Sequence, residues 1–231
     1  MPQSADTRLL ASMYLDAKRS VVQGGFGWEI DWQASVQFER LTEATFLQES
    51  AWVVLTAGMK ESVVRRRFFA LSEAFLQWSS ARHIVDSAHQ CRQRALAVFN
   101  HRAKINAILG IARRTAALSF DWIRNRVLEQ GVSYLQSLPF IGPVTSFHLA
   151  KNIGLQIAKP DRHLVRIATV FGFPSVQAMC ETIAKEVCDT VPVVDIVFWR
   201  YATLHADYGD RLREAYLTMR SPDASPSRPL I

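Results

Sequence analysis

Apolar residues recur at steps of three and four along almost the whole of this chain, the period of an α-helix packed on one side. Leu41, Ala44, Leu47, Ala51, Val54 and Gly58 form one such stripe, with Thr42 placed to cap it. Val64, Phe68, Leu71 and Phe75 form another within Val63–Phe75. The same spacing predicts helices over Ala103–Arg114, with Ile105, Ile108, Leu109 and Ala112 inward, and over Phe120–Glu129, ended by Gly131. It predicts three more over Leu164–Phe171, stopped by Gly172 and Pro174, over Asp195–His205 and over Asp210–Met219. Ser133-Tyr-Leu-Gln136 reads as a capping box opening a short helix. No stretch alternates as a strand does. The expectation is an all-α protein of roughly ten short helices.

The length of 231 residues allows one large domain or two small lobes, and a hydrophobic content of 49% fills a sizeable core. Lys and Arg total 27 against 21 Asp and Glu, and the resulting +6 favours a polyanionic partner. The longest apolar run, Ala51–Ala57, falls well short of the ~20 residues of a membrane span. Met1–Arg8 lacks the pattern of a secretory signal, so a cytoplasmic protein with no membrane partner is expected. Cys91, Cys180 and Cys188 are too few and too scattered for a disulfide framework or for a zinc or iron–sulfur site held by four cysteines. The six histidines show no HxxxH or HExxH spacing, so no metal held by side chains is expected. Gly24-Gly25-Phe26-Gly27 reads as a joint without nucleotide-binding character. Met1–Asp6 is expected to fray, and residues 221–231, rich in Pro and Ser, to form a disordered tail.

The most informative stretch runs from Ser133 to Gly172. Leu138-Pro139-Phe140-Ile141-Gly142-Pro143 is a tight turn between two helices: Pro139 cannot continue the first, and Pro143 suits the first position of the second. The amides around Gly142, Val144 and Thr145 then stand at a helix start, where unsatisfied N–H groups and the helix dipole together attract an anion. The turn is either such a site or an ordinary corner of a helical core. Seventeen residues past Val144, Asp161 opens the next amphipathic helix. It is either a plain helix cap or a carboxylate held in place for chemistry.

This pairing resembles the helix-hairpin-helix (HhH-GPD) DNA glycosylase superfamily, in the form without an iron–sulfur cluster. In that family an LPGxGxxTA-like hairpin precedes an Asp at a helix start, usually in a D-x-H-x-x-R frame. Here the frame is Asp161-Arg-His163-Leu-Val-Arg166, and the hairpin matches at Leu138, Pro139, Ile141, Gly142 and Thr145, with Phe140 where a Gly is common. The match covers about 40 residues. The resemblance implies a two-lobed helical bundle around a cleft, spanning residues 1–220, with the hairpin at 133–153 and the Asp helix at 160–171. It implies that Asp161 is catalytic and that Ile141, Gly142, Val144 and Thr145 grip one strand of double-stranded DNA. A Na+ or K+ on the backbone carbonyls of Leu138, Phe140 and Ile141 is implied with them, and no other cofactor.

The implied activity is hydrolysis of the N-glycosidic bond of a modified base turned out of the duplex, leaving an abasic site. Relatives that also cut the backbone carry a Schiff-base Lys where this chain has Val144, so a monofunctional enzyme, acting as a monomer, is expected. Lys151 lies two turns further on and is expected at phosphate or in solvent. Met59 or Lys60, after Gly58, is placed either to fill the gap left by the extruded base or in an interhelical turn. Arg65, Arg66 and Arg67 suit phosphate or a solvated face. Trp28 and Trp32 share a helix face and suit either a base pocket or core packing, with Glu29 and Asp31 beside them. Trp52, Trp78, Trp122 and Trp199 are assigned to packing. Two other functions remain open: a non-catalytic helix-hairpin-helix DNA-binding module, and a helical protein-interaction domain.

Overall fold

A computed structural model describes residues 4–220; the N-terminal Met1–Gln3 of the expected frayed end and the expected tail at 221–231 lie outside it. Fourteen α-helices and no strand occur among the described residues: α1 (Ser4–Val21), α2 (Gly27–Ser35), α3 (Glu43–Thr56), α4 (Glu61–Ala74), α5 (Ala81–Asp86), α6 (Ala88–Val98), α7 (Arg102–Leu118), α8 (Phe120–Gln130), α9 (Val132–Gln136), α10 (Pro143–Asn152), α11 (Arg162–Val170), α12 (Val176–Val187), α13 (Val191–Leu204) and α14 (Tyr208–Arg220). None is long and apolar enough to cross a membrane.

The chain divides into two compact units, one running to Ser35 and resuming at Gln156, the other being Val36–Leu155. The second carries fifteen Lys and Arg against eight Asp and Glu, a net +7. The first carries twelve against thirteen, a net −1, so the chain's excess positive charge resides in Val36–Leu155.

In Val36–Leu155, α3 and α7 form the centre. The Thr42 hydroxyl accepts the Thr45 amide at 3.1 Å and starts α3 as expected. Ile105, Ile108, Leu109 and Ala112 all turn inward from α7. Burying each side chain of Leu or Ile size contributes ~1.5–3 kcal/mol, so this stripe holds α7 in place. Phe75 stacks on Trp78 at 5.0 Å, and Trp78 is buried. Trp122, expected in the packing, meets Tyr134 edge-on at 6.0 Å but stands 37% exposed. The expected capping box at Ser133 does not form: α9 begins at Val132, after Gly131 has turned the chain with φ 55°, and Ser133 lies inside the helix. At the end of α10 Gly154 has φ 98°, and a Cβ there would stand 2.4 Å from the Phe38 nitrogen, so this crossing requires glycine.

In the other unit α1 lays Leu10, Met13, Tyr14, Ala17 and Val21 against α12 and α13, and Tyr14 meets Phe198 edge-on at 5.6 Å. Met179, Cys180 and Ile183 of α12 complete that core. Ser4–Asp6, expected to fray, belong to α1. Arg200 donates to Glu29 at 2.7 and 2.5 Å in the interior, joining α13 to α2. The guanidinium lies 4.1 Å from the Phe26 ring and 4.8 Å from Trp199.

Candidate active site

The turn between α9 and α10 is closed by the Ile141 amide donating to the Leu138 carbonyl at 3.1 Å. Phe140 adopts φ 65°, the left-handed region that glycine enters at no steric cost. The departure from Gly read in the sequence therefore falls on a position whose backbone asks for one. Leu138 and Ile141 bury their side chains, while Phe140 (45%) and Val144 (43%) face solvent. Ile141 thus offers its backbone rather than its side chain. Gly142 does not keep a free amide: its N–H donates to the Thr145 hydroxyl at 2.7 Å. The amides of Val144 and Thr145 have no acceptor among the described residues, and they form the positive end of α10. The carbonyls of Phe140 and Ile141 accept no hydrogen bond there either.

Lys151 is not at phosphate or in solvent. It is 3% exposed, with its charge felt by buried Glu49, whose carboxylate accepts the Asn152 side-chain amide at 2.8 Å. Burial pushes the Glu49 carboxyl up to about 7, against the opposing effects of the Asn152 hydrogen bond and the Lys151 charge. Met59 and Lys60 are both exposed, beyond the end of α3, and Met59 does not fill the core. Arg65 pairs with Glu61 and lies 5.3 Å over Trp52, and Arg67 lies 6.0 Å over Phe99, so both are engaged within the unit.

In the other unit Asp161 caps α11. Its Oδ1 accepts the amides of His163 at 2.9 Å and Leu164 at 3.1 Å, and its Oδ2 has no partner among the described residues. The side chain is half-buried. The segment leading to it is held at three points: the Lys159 amide donates to buried Asp195 at 2.6 Å, the Ala158 amide to Gln177 at 2.8 Å, and Gln177 in turn to the Gln156 carbonyl at 3.1 Å. His163 shares a 3.1 Å hydrogen bond with the Tyr208 hydroxyl. Burial holds its imidazole below the usual range, helped by Arg162, Arg166 and Lys159 and opposed by Asp161. Trp28 (48%) and Trp32 (37%) lie on α2 with much of their surface exposed, rather than in the core. Glu29 is not free to read a base edge, being 4% exposed and paired with Arg200.

No family model and no curated protein sequence matches the chain. Among solved structures, the chain resembles the Methanocaldococcus jannaschii 8-oxoguanine glycosylase/lyase, crystallised in complex with a 15mer DNA containing 8-oxoguanine. The TM-score is 0.56 at 18% identity, over 84% of this chain and 98% of that one. The two share a fold. The all-α class expected from the helical period, and the glycosylase-like architecture implied by the hairpin and the Asp helix, are thereby established.

Sequence reasoning missed Gln177 and Asp195, which clamp the approach to Asp161. Asp195 sits in the apolar run Val191–Phe198, and a carboxylate inside such a run signals an internal acceptor role. Nothing in the sequence around Gln177 marks it.

Proposed function

We propose that the chain is a monofunctional DNA glycosylase that hydrolyses the N-glycosidic bond of a modified base flipped out of double-stranded DNA. The observation carrying this reading is the Asp161 carboxylate, one oxygen fixed by two backbone amides and the other uncommitted, in a protein with a glycosylase fold. As the C1′–N bond breaks, the electron pair leaves with the base, which takes up a proton, and positive charge develops on the sugar. A held carboxylate stabilises that charge and accepts a proton from the water that attacks C1′. The products are a free base and an abasic site.

The uncommitted Val144 and Thr145 amides are suited to a phosphate oxygen, within a unit of net +7. A Na+ or K+ would be held by the carbonyl oxygens of Leu138, Phe140 and Ile141, a hard-donor set that fits such an ion, and would add positive charge beside the phosphate. Val144 supplies no amine, and Lys151 is buried, so lyase chemistry at the hairpin lacks its nucleophile. Met59 and Lys60 suit the space left by the extruded base, and Trp28 and Trp32 suit stacking on that base.

The test is a base-release screen over duplexes carrying alkylated, oxidised (8-oxoguanine among them), deaminated and bulky modified bases. The proposal expects free base from at least one, strand breakage only after added alkali, and no borohydride-trapped covalent adduct. DNA binding without release from any duplex would make the chain a binding module. Weak binding indifferent to salt would point to protein interaction instead.

A further inference from the structure

Lys104 is buried (2%), and its ammonium faces carbonyl oxygens rather than a carboxylate. Its Nζ donates to the carbonyls of Leu55 and Ala57, each at 2.6 Å, where α3 ends and the Gly58-Met59-Lys60 turn begins. Charge-assisted bonds of this kind are stronger than neutral ones, and a cation there also meets the negative end of the α3 dipole. Removal from water lowers the Lys104 pKa.

The same Nζ lies 5.8 Å from the ring centroid of Phe140, at the tip of the hairpin. The hairpin follows one face of α7. His101, which caps that helix, meets Phe140 edge-on at 6.3 Å; Gly110 comes so close to Pro139 that a Cβ would stand 3.2 Å from its ring; and Arg114 donates to the Ser137 carbonyl at 3.0 Å. Positions 101, 104, 110 and 114 therefore address residues 137–140, and only Lys104 also reaches the 57–60 turn.

We infer that Lys104 is a positioning residue that locks the Met59–Lys60 turn and the hairpin tip into one body. The consequence for DNA rests on the function proposed above: two contact loops set by one buried cation approach the duplex at a fixed separation. The lock itself requires no DNA to be observed.

Hydrogen–deuterium exchange on Lys104→Met in the full chain is the test. Loss of both carbonyl bonds and of the charge facing Phe140 should raise exchange at 57–60 and at 140–142 together, by about tenfold or more, with 162–170 unchanged. Phe140→Leu approaches from the exposed end and keeps the measurement available should Lys104→Met fail to fold. It removes the ring the ammonium faces, and the effect should carry through to 57–60. A rise confined to one loop, or spread evenly over the protein as general destabilisation produces, overturns the inference. Coupled exchange accompanied by unaltered DNA affinity would keep the lock and count against the DNA role of the two loops.

Discussion

Stability should fall as pH rises across the range in which buried Glu49 ionises. Its carboxyl titrates at about 7 in the folded protein, against an ordinary 4.5. The folded state therefore holds a proton that the unfolded chain releases earlier. The stabilisation is complete below about pH 4.5, declines from there, and is gone above about pH 7. The gap corresponds to on the order of 3 kcal/mol. At ~2–4 °C per kcal/mol for a chain of this size, that is roughly 6–12 °C in Tm. Glu49→Gln removes the titration and leaves an amide able to accept the Asn152 hydrogen bond. Thermal melts of both proteins at about pH 5 and about pH 8 isolate the contribution, because other groups titrate equally in the two. The wild type should lose more stability between the two pH values than the variant. Parallel curves would show that Glu49 is ionised in the fold at both, with Lys151 as its counter-charge.

Other outcomes follow from the same packing. Gly110→Ala gains ~1 kcal/mol of helix propensity but forces Pro139 to move a few tenths of an ångström. Tm should change little while DNA affinity, read by fluorescence anisotropy, weakens several-fold; unaltered affinity would remove the hairpin from the DNA interface. Arg200→Met strands the Glu29 carboxylate in the interior and should cost about 3–5 kcal/mol in denaturant melts. Glu29→Met combined with Arg200→Met should recover most of that, and a double variant no better than the single would refute the pairing.

How much of this was legible in the sequence depended on how far apart the partners lie. Caps act over three or four residues, so Thr42 and Gly172 could be read directly, and the stripe on α7 was plain from its spacing. Helices α1 and α12 carry equally regular stripes, at Leu10, Tyr14, Ala17 and Val21 and at Val176, Met179, Cys180 and Ile183, and they account for two of the helices found beyond the roughly ten expected. Ser133 failed as a cap because the turn at Gly131 already starts that helix.

Asp161 was legible as a cap, but the clamp that holds its approach joins residues 19 and 36 positions apart. Buried charges were the least legible of all. Lys151 looks like any surface lysine until Glu49 is brought to it from α3, and Lys104 bonds to carbonyls 47 and 49 residues away. Hydrophobic period predicts which face is buried, yet it says nothing of a cation whose partners are backbone oxygens. Phe140 shows the reverse case: the sequence exposed a substitution, and only the φ of 65° explained what glycine would have supplied there.

Single-turnover base release by Asp161→Asn addresses the carboxylate itself. Asn caps a helix about as well as Asp, so the fold and DNA affinity should be retained. With a duplex the wild type processes, the release rate should fall on the order of 100-fold or more, since Asn neither offsets positive charge on the sugar nor accepts a proton from water. Release at the wild-type rate by a folded, DNA-bound Asp161→Asn would contradict the assignment of Asp161 as the catalytic group.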